Sequence, residues 1–174
     1  MTFNEIAMWA LNFSAKLIQT FGYVGVFFVG FMGSATVFLP IPSYVVVFLM
    51  GSVMNPLLLG IIAGLGASTG ELVGYVLGIG GRRIASKKKK WGKQLNKVQK
   101  MFNKYGGFFA IIIIAATPIP DNVLGIFCGM IGYPVKKYFI ASSIGKIMMH
   151  IAIAYAGYYG IGFILTLMGG PVLV

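Results

Sequence analysis

The sequence predicts an all-α integral membrane protein built from two inverted repeats, each a re-entrant Pro-x-Pro hairpin followed by a transmembrane helix. Three observations predict it. The 174-residue chain is 58% hydrophobic and only 10% charged, whereas roughly a quarter of the residues in an average soluble domain are charged. Pro40-Ile41-Pro42-Ser43 interrupts one apolar stretch and Pro118-Ile119-Pro120-Asp121 interrupts another, 78 residues on. The same shift carries Gly51 onto Gly129 and Asn55-Pro56 onto Tyr133-Pro134. One further residue carries Gly66, Gly78 and Gly81 onto Gly145, Gly157 and Gly160, and Glu71 onto His150. Paired apolar segments broken by Pro at matching places in two halves point to inverted repeats with a site where the breaks meet. Finally, the excess charge of +11 is concentrated, with ten of the 14 basic residues between Arg82 and Lys104.

The elements follow in order. Residues 1–20 lack the basic start of a secretory signal, so no cleavage is expected. Polar Asn4, Glu5, Asn12, Ser14, Lys16 and Gln19 alternate with Ile6, Trp9, Ala10, Phe13 and Leu17 at helical spacing. That pattern predicts an amphipathic helix lying in the interface. Residues 21–81 form the first repeat: segments 23–39 and 44–53 flank the first turn, and 57–80 is long enough to cross a hydrocarbon core. Residues 82–104 form a basic cytoplasmic segment. Residues 105–160 form the second repeat, with 108–117 and 123–131 flanking the second turn and 135–159 spanning. Legs of about 10 residues are too short to cross, because a span needs roughly 20. They are expected to fold back at membrane depth, covered by protein or facing a wet cavity. Residues 161–174 are an apolar C-terminal segment, expected as a partial helix.

Charge tests the inversion. If each repeat crosses an odd number of times, Arg82 to Lys104 and Lys136-Lys137 share one side, and the uncharged Asn55 turn lies opposite. Every basic cluster then falls inside, as the positive-inside bias requires. The run Lys87-Lys88-Lys89-Lys90, with Arg82 and Arg83, reads first as this topology signal. It reads second as a collector of anionic lipid headgroups. No recognition fold for nucleic acid accompanies it.

Composition also narrows the chemistry. One cysteine (Cys128), one histidine and three acidic residues supply too few parts for a hydrolytic triad or a multi-ligand metal site. The chain is therefore expected not to be an enzyme and to need no cofactor. Gly78-Ile79-Gly80-Gly81 lacks the context of a phosphate-binding loop. Gly66, Gly70, Gly74 and Gly78 recur once per turn, a stripe that lets another backbone approach.

Few polar residues lie deep in the apolar segments. Glu71 sits mid-helix, with Tyr75 four residues on. A carboxylate there is costly and must face a cavity or a partner, as a functional group or as half of an ion pair joining the repeats. Lys146 and His150 are four apart on one helical face, one turn beyond Ser142 and Ser143. His150 stands where the repeat places Glu71, as part of a proton-sensitive pair or as a buried imidazole donating to a carbonyl. Asp121 and Ser43 follow the second prolines of their turns and suit helix caps. Asp121 is also a partner for Lys146.

Residues 22–160 resemble the DedA/VTT (SNARE-associated Golgi protein) superfamily. The matching pieces are Pro40-Ile41-Pro42-Ser43, Gly66-Ala67-Ser68-Thr69-Gly70-Glu71 with Tyr75, Gly78 and Gly81, Thr117-Pro118-Ile119-Pro120, Gly129, Phe139 and Gly145-Lys146. The Thr-Pro-x-Pro turn is most similar to that of the small YqaA-like branch. The resemblance implies two hairpins meeting in the membrane and a role in moving lipids between leaflets or in proton-linked transport. Glu71 matches the family's acidic position. Many members carry a glutamate where this chain has Tyr44, and arginines near the second hairpin, where it has Ala115 and Asp121.

The expected function is a lipid translocase or scramblase, its path lined by Glu71, Tyr75, Asp121, Lys146 and His150. A proton-coupled carrier of a small solute or ion, or a membrane organiser that transports nothing, are the alternatives. Membrane phospholipids are the expected partners, and a homo-oligomer is compatible with this reading. The expected location is the plasma membrane of a prokaryote.

Overall fold

A computed structural model describes residues 3–36, 43–87, 89–104, 106–117 and 122–167. These form eight α-helices: α1 (Phe3–Phe21), α2 (Tyr23–Ala35), α3 (Ser43–Gly51), α4 (Pro56–Ser86), α5 (Lys89–Lys104), α6 (Gly107–Ala115), α7 (Asn122–Ile131) and α8 (Val135–Leu167). No strand occurs among the described residues. Both turns, with Pro40, Pro42, Pro118, Pro120 and Asp121, lie outside them, as does Lys88.

Two helices dominate. α4 has 31 residues and α8 has 33, or about 46 and 50 Å at 1.5 Å per residue. Pro56–Ser86 and Val135–Gly160 are long and apolar enough to cross a membrane, whose hydrocarbon core is roughly 30 Å thick. Local chemistry starts α4 sharply. The Asn55 side chain accepts hydrogen bonds from the Leu57 and Leu58 amides, each 3.1 Å, and Pro56 takes the first turn, where its missing N–H costs nothing. At the matching place before α8, Gly132 adopts φ +71°. The Gly132 amide donates to the Gly129 carbonyl (3.1 Å) and the Tyr133 amide to that of Cys128 (2.9 Å), so α7 closes in a Schellman cap.

Glycine positions decide how closely these helices pack. Gly60 and Gly64 of α4 lie against Ile151 and Ile147 of α8. The partner number falls as the first rises, so α4 and α8 are antiparallel. Gly66 and Gly70 bring α4 against the Phe27 and Phe31 carbonyls of α2, and Gly145 brings α8 against the Ile112 carbonyl of α6. The short helices then cross over. Gly51 of α3 packs on the Ala154 carbonyl of α8, while Gly129 of α7 packs on the Tyr75 carbonyl of α4. Gly157 meets Phe48, and Gly78 meets Ile126. These four contacts form two pairs related by the offset seen in the sequence. The predicted glycine stripe is thus shared out, its first members facing α2 and Gly78 facing α7.

Three segments gain detail in the structure. The basic segment is helical nearly throughout: α4 runs on past Arg82 and Arg83, and α5 occupies 89–104. Residues 161–167 continue α8 without a break. In α1 the packed face is Ala10, Ser14 and Ile18, while Trp9 and Phe13 stack outward, ring centroids 5.4 Å apart. Gly25 of α2 leaves no room for a Cβ beside Leu17 and Ile18, so this crossing takes small residues.

Replacing Gly129 with Ala places a methyl on the Tyr75 carbonyl and 3.0 Å from the Gly78 Cα. Overpacking of this kind costs about 1–3 kcal/mol, which thermal unfolding in detergent reads as a lower midpoint. Gly80→Ala meets nothing within 4 Å and should be neutral or raise the midpoint through helix propensity. Equal midpoints for the two variants would contradict the close crossing of α7 and α4.

Candidate functional site

α4 and α8 carry apolar residues on most positions, yet where they face each other both turn polar. On α8, Tyr138, Ser142, Lys146 and His150 recur every four residues and so share one face. On α4, Ser68, Glu71 and Tyr75 do the same at spacings of three and four. Ser68, Glu71, Tyr138, Ser142, Lys146 and His150 all have 0% exposure.

Glu71 is the centre. Its Oε1 lies 3.2 Å from the Lys146 Nζ. Its Oε2 accepts from the Tyr138 hydroxyl at 3.2 Å and from the Ser142 hydroxyl. The Lys146 ammonium also donates to the Tyr44 hydroxyl of α3 at 3.5 Å. One turn further, the His150 Nδ1 donates to the Lys146 carbonyl at 2.8 Å. That bond puts the proton on Nδ1 in the neutral ring. Nε2 is buried and has no hydrogen-bond partner among the described residues. The His150 and Tyr44 rings lie 5.5 Å apart. In the other direction Tyr75 stacks on Tyr138 at 5.2 Å and donates to the Tyr133 carbonyl at 2.5 Å. Ser143 donates to Ser68 at 3.0 Å. The result is a column of buried polar groups from Tyr133 to His150, hydrogen-bonded except where the Tyr75 and Tyr138 rings stack.

Of the residues singled out in the sequence, Glu71 and Lys146 come together directly. His150 belongs to the column but touches the Lys146 backbone and Tyr44 rather than Glu71. Tyr75 is reached through Tyr138. Ser43 is buried as the first residue of α3, and Asp121 falls outside the described residues. Arg82 faces the protein: its guanidinium donates to Asn96 Oδ1 at 2.8 Å and to the Met130 carbonyl at 3.4 Å, clamping the end of α4 to α5 and α7. Arg83 and Lys87 are exposed.

Tyr138 and Tyr44 were missed. The signal for Tyr138 was present, since it stands four residues before Ser142 on the same face. For Tyr44 the signal was the family resemblance, which puts a glutamate there in many members; that α3 crosses to α8 is decided only by the folded chain.

Antiparallel apolar helices joined by a buried carboxylate–ammonium pair define an all-helical protein with a charged centre and two helices long and apolar enough to cross a membrane. The VTT domain family profile matches residues 41–159, and the chain belongs to this membrane-associated family, the DedA family. An uncharacterized protein from Methanocaldococcus jannaschii is 29% identical over 151 residues, covering 80% of this chain and 86% of that one. No solved structure matches the chain.

A buried ion pair is costly to break because the surviving charge stays desolvated, by about 3–5 kcal/mol. Glu71→Gln and Lys146→Met should therefore each lower the unfolding midpoint, and the double variant should lose less than the sum of the two. A non-additivity above about 0.5 kcal/mol in the double-mutant cycle is expected. Additive losses would mean that the two charges do not stabilise each other.

Proposed function

We propose that the protein is a lipid translocase of the scramblase kind, in which a phosphate-bearing headgroup crosses between leaflets along the Glu71–Lys146 column while its acyl chains stay in the bilayer. The observation that carries this reading is a charged, protein-enclosed column between two helices long and apolar enough to span, with an apolar groove on another face of α8. That groove, of about 450 Å³, is lined by Ala116, Met148, Met149, Ala152, Ile153 and Ala156; Met149 precedes His150 in the chain and points about 100° away from it around the helix. An acyl chain suits such a groove, whereas a small polar solute does not. Lys146 is the natural partner of a phosphate oxygen, and Glu71 neutralises it between transits. Tyr44, Tyr138 and Ser142 offer hydroxyls to the oxygens of a passing headgroup. Asp121 belongs to the same path by its place in the sequence.

The reading includes the inverted repeat. The two crossover contact pairs, Gly51–Ala154 with Gly129–Tyr75 and Gly78–Ile126 with Gly157–Phe48, support it. So do the antiparallel α4 and α8. On this reading α2–α3 and α6–α7 are re-entrant hairpins, because α3, α6 and α7 have only 9, 9 and 10 residues. The basic end, with Lys87 to Lys90 and Lys136-Lys137, lies on the cytoplasmic side of the plasma membrane, where the lysines attract anionic headgroups. The chemistry is translocation, without bond making or breaking.

The complete burial of Glu71 and Lys146 favours a second reading, in which the pair only clamps the two halves of a membrane organiser.

Leaflet exchange of labelled phospholipid in reconstituted liposomes tests the first reading against the second. Wild type should exchange lipid faster than protein-free vesicles. A charge-assisted hydrogen bond is worth roughly 1.5–3 kcal/mol, so Glu71→Gln, still folded, should slow exchange by about ten- to hundredfold. Wild-type exchange in a folded Glu71→Gln protein would remove the residue from the path. Absence of exchange in wild type would leave the clamp. The orientation has its own test. Single cysteines at Asn55 and Lys93 in a Cys128→Ser background should label from opposite faces of the membrane, and labelling from the same face would end the inverted arrangement.

A further inference from the structure

Helix α5 has two faces with different jobs. One is docked. Asn96 receives the Arg82 guanidinium at 2.8 Å, and the Gln99 side chain donates to the Gly132 carbonyl. Phe102 packs edge-on against Phe127 and Tyr133, with centroids 5.7 and 5.5 Å away. Asn96, Gln99 and Phe102 recur every three residues, so they form one line that fixes the rotation of the helix.

That rotation leaves an apolar line bare. Trp91, Val98 and Met101 are 55%, 39% and 50% exposed, and they border a shallow cleft of about 430 Å³ with Gln94, Leu95 and Lys97. Lys93, Lys97 and Lys100, at spacings of four and three, are exposed on the adjoining arc. No acidic residue occurs between Glu71 and Asp121 in the sequence, so no carboxylate on α5 or its flanks neutralises them. α5 also begins within a few residues of the end of α4, a helix long and apolar enough to span, which sets it at the level of the headgroups.

We propose that α5 is an in-plane membrane anchor whose Trp91–Val98–Met101 line enters the interface while Lys93, Lys97 and Lys100 bind the phosphates of an anionic leaflet. A helix with an apolar stripe bordered by lysines lies in the interface in this way, and tryptophan prefers the headgroup level. The lysines make the anchor selective for anionic lipid and sensitive to salt. These residues differ from Arg82 and the Lys87 to Lys90 run. Arg82 is committed to the protein, whereas Lys93, Lys97 and Lys100 are held in register by the docked face. Because Gln99 and Phe102 grip the α7–α8 junction, the anchor also fixes that junction relative to the membrane surface.

The inference rests on the membrane placement proposed above but not on lipid movement, and the two fail separately. In a Trp9→Phe protein, Trp91 is the single tryptophan. Reconstituted in vesicles of equal parts phosphatidylcholine and phosphatidylglycerol, its fluorescence should be quenched by lipid labelled near the headgroup. Quenching should be weaker in phosphatidylcholine alone. Each lysine near an anionic surface contributes about fivefold to binding. Replacing Lys93, Lys97 and Lys100 with Gln should therefore weaken docking roughly a hundredfold, so that quenching of the variant in anionic vesicles falls toward that of wild type in neutral ones. Trp91 unquenched in both vesicles, or quenched equally in both, would overturn the proposal. So would efficient chain-to-chain crosslinking through Met101→Cys in a Cys128→Ser background, which would make the line a contact between copies. Leaflet exchange measured on the same vesicles reports separately on translocation.

Discussion

The charged pair between Glu71 and Lys146 is the constraint to which the rest of the structure answers. Both groups have 0% exposure, in helices that are mostly apolar along the segments long enough to span. Left alone, either charge at that depth would cost several kcal/mol. The fold meets the cost on both sides. Glu71 receives an ammonium and two hydroxyls, and Lys146 also reaches Tyr44. A pair so enclosed adds little net stability beyond what apolar residues of the same shape would give. It does fix α4 and α8 in one register and one rotation, since a slip of one residue turns the carboxylate away from its partners.

Register alone does not hold the pair; distance does. The helices flanking it approach through glycine. Gly60 and Gly64 set α4 on α8, and Gly129 and Gly51 seat the short helices on the Tyr75 and Ala154 carbonyls. With lipid on the outside there is no hydrophobic force drawing one helix to another, so close van der Waals contact and polar bonds must do the work. The glycines supply the first and the polar column the second. Tyr75 joins the two, its carbonyl lying under Gly129 and its hydroxyl donating to Tyr133.

Much of this was legible in the sequence because it follows from local chemistry. Apolar runs long enough to cross a membrane marked α4 and α8, Asn55-Pro56 marked where α4 begins, and the repeated glycines marked close crossings. Glu71 and Lys146 stood out because charge in an apolar helix demands an explanation. Other features were hidden. Trp9 and Phe13 read as the apolar face of an amphipathic α1 on periodicity. Which residues the rest of the protein packs against was not legible, since apolar residues in a membrane protein suit the outside as well as the inside. Hydrophobicity therefore no longer tells the two faces apart. Arg82 read as one more cation of a basic run, and only the fold gives it Asn96 and the Met130 carbonyl.

By itself, then, the sequence determined the helical class, the two long apolar helices and the few polar residues needing partners. Each of these depends on residue type and short-range spacing. Only the tertiary structure decided which partners they find. It set the carboxylate on α8's polar face, brought Tyr44 across from α3 and turned Lys93, Lys97 and Lys100 outward while Phe102 turned in. Those choices join residues far apart in the chain, and they depend on how closely glycine lets particular backbones approach, which no local pattern encodes.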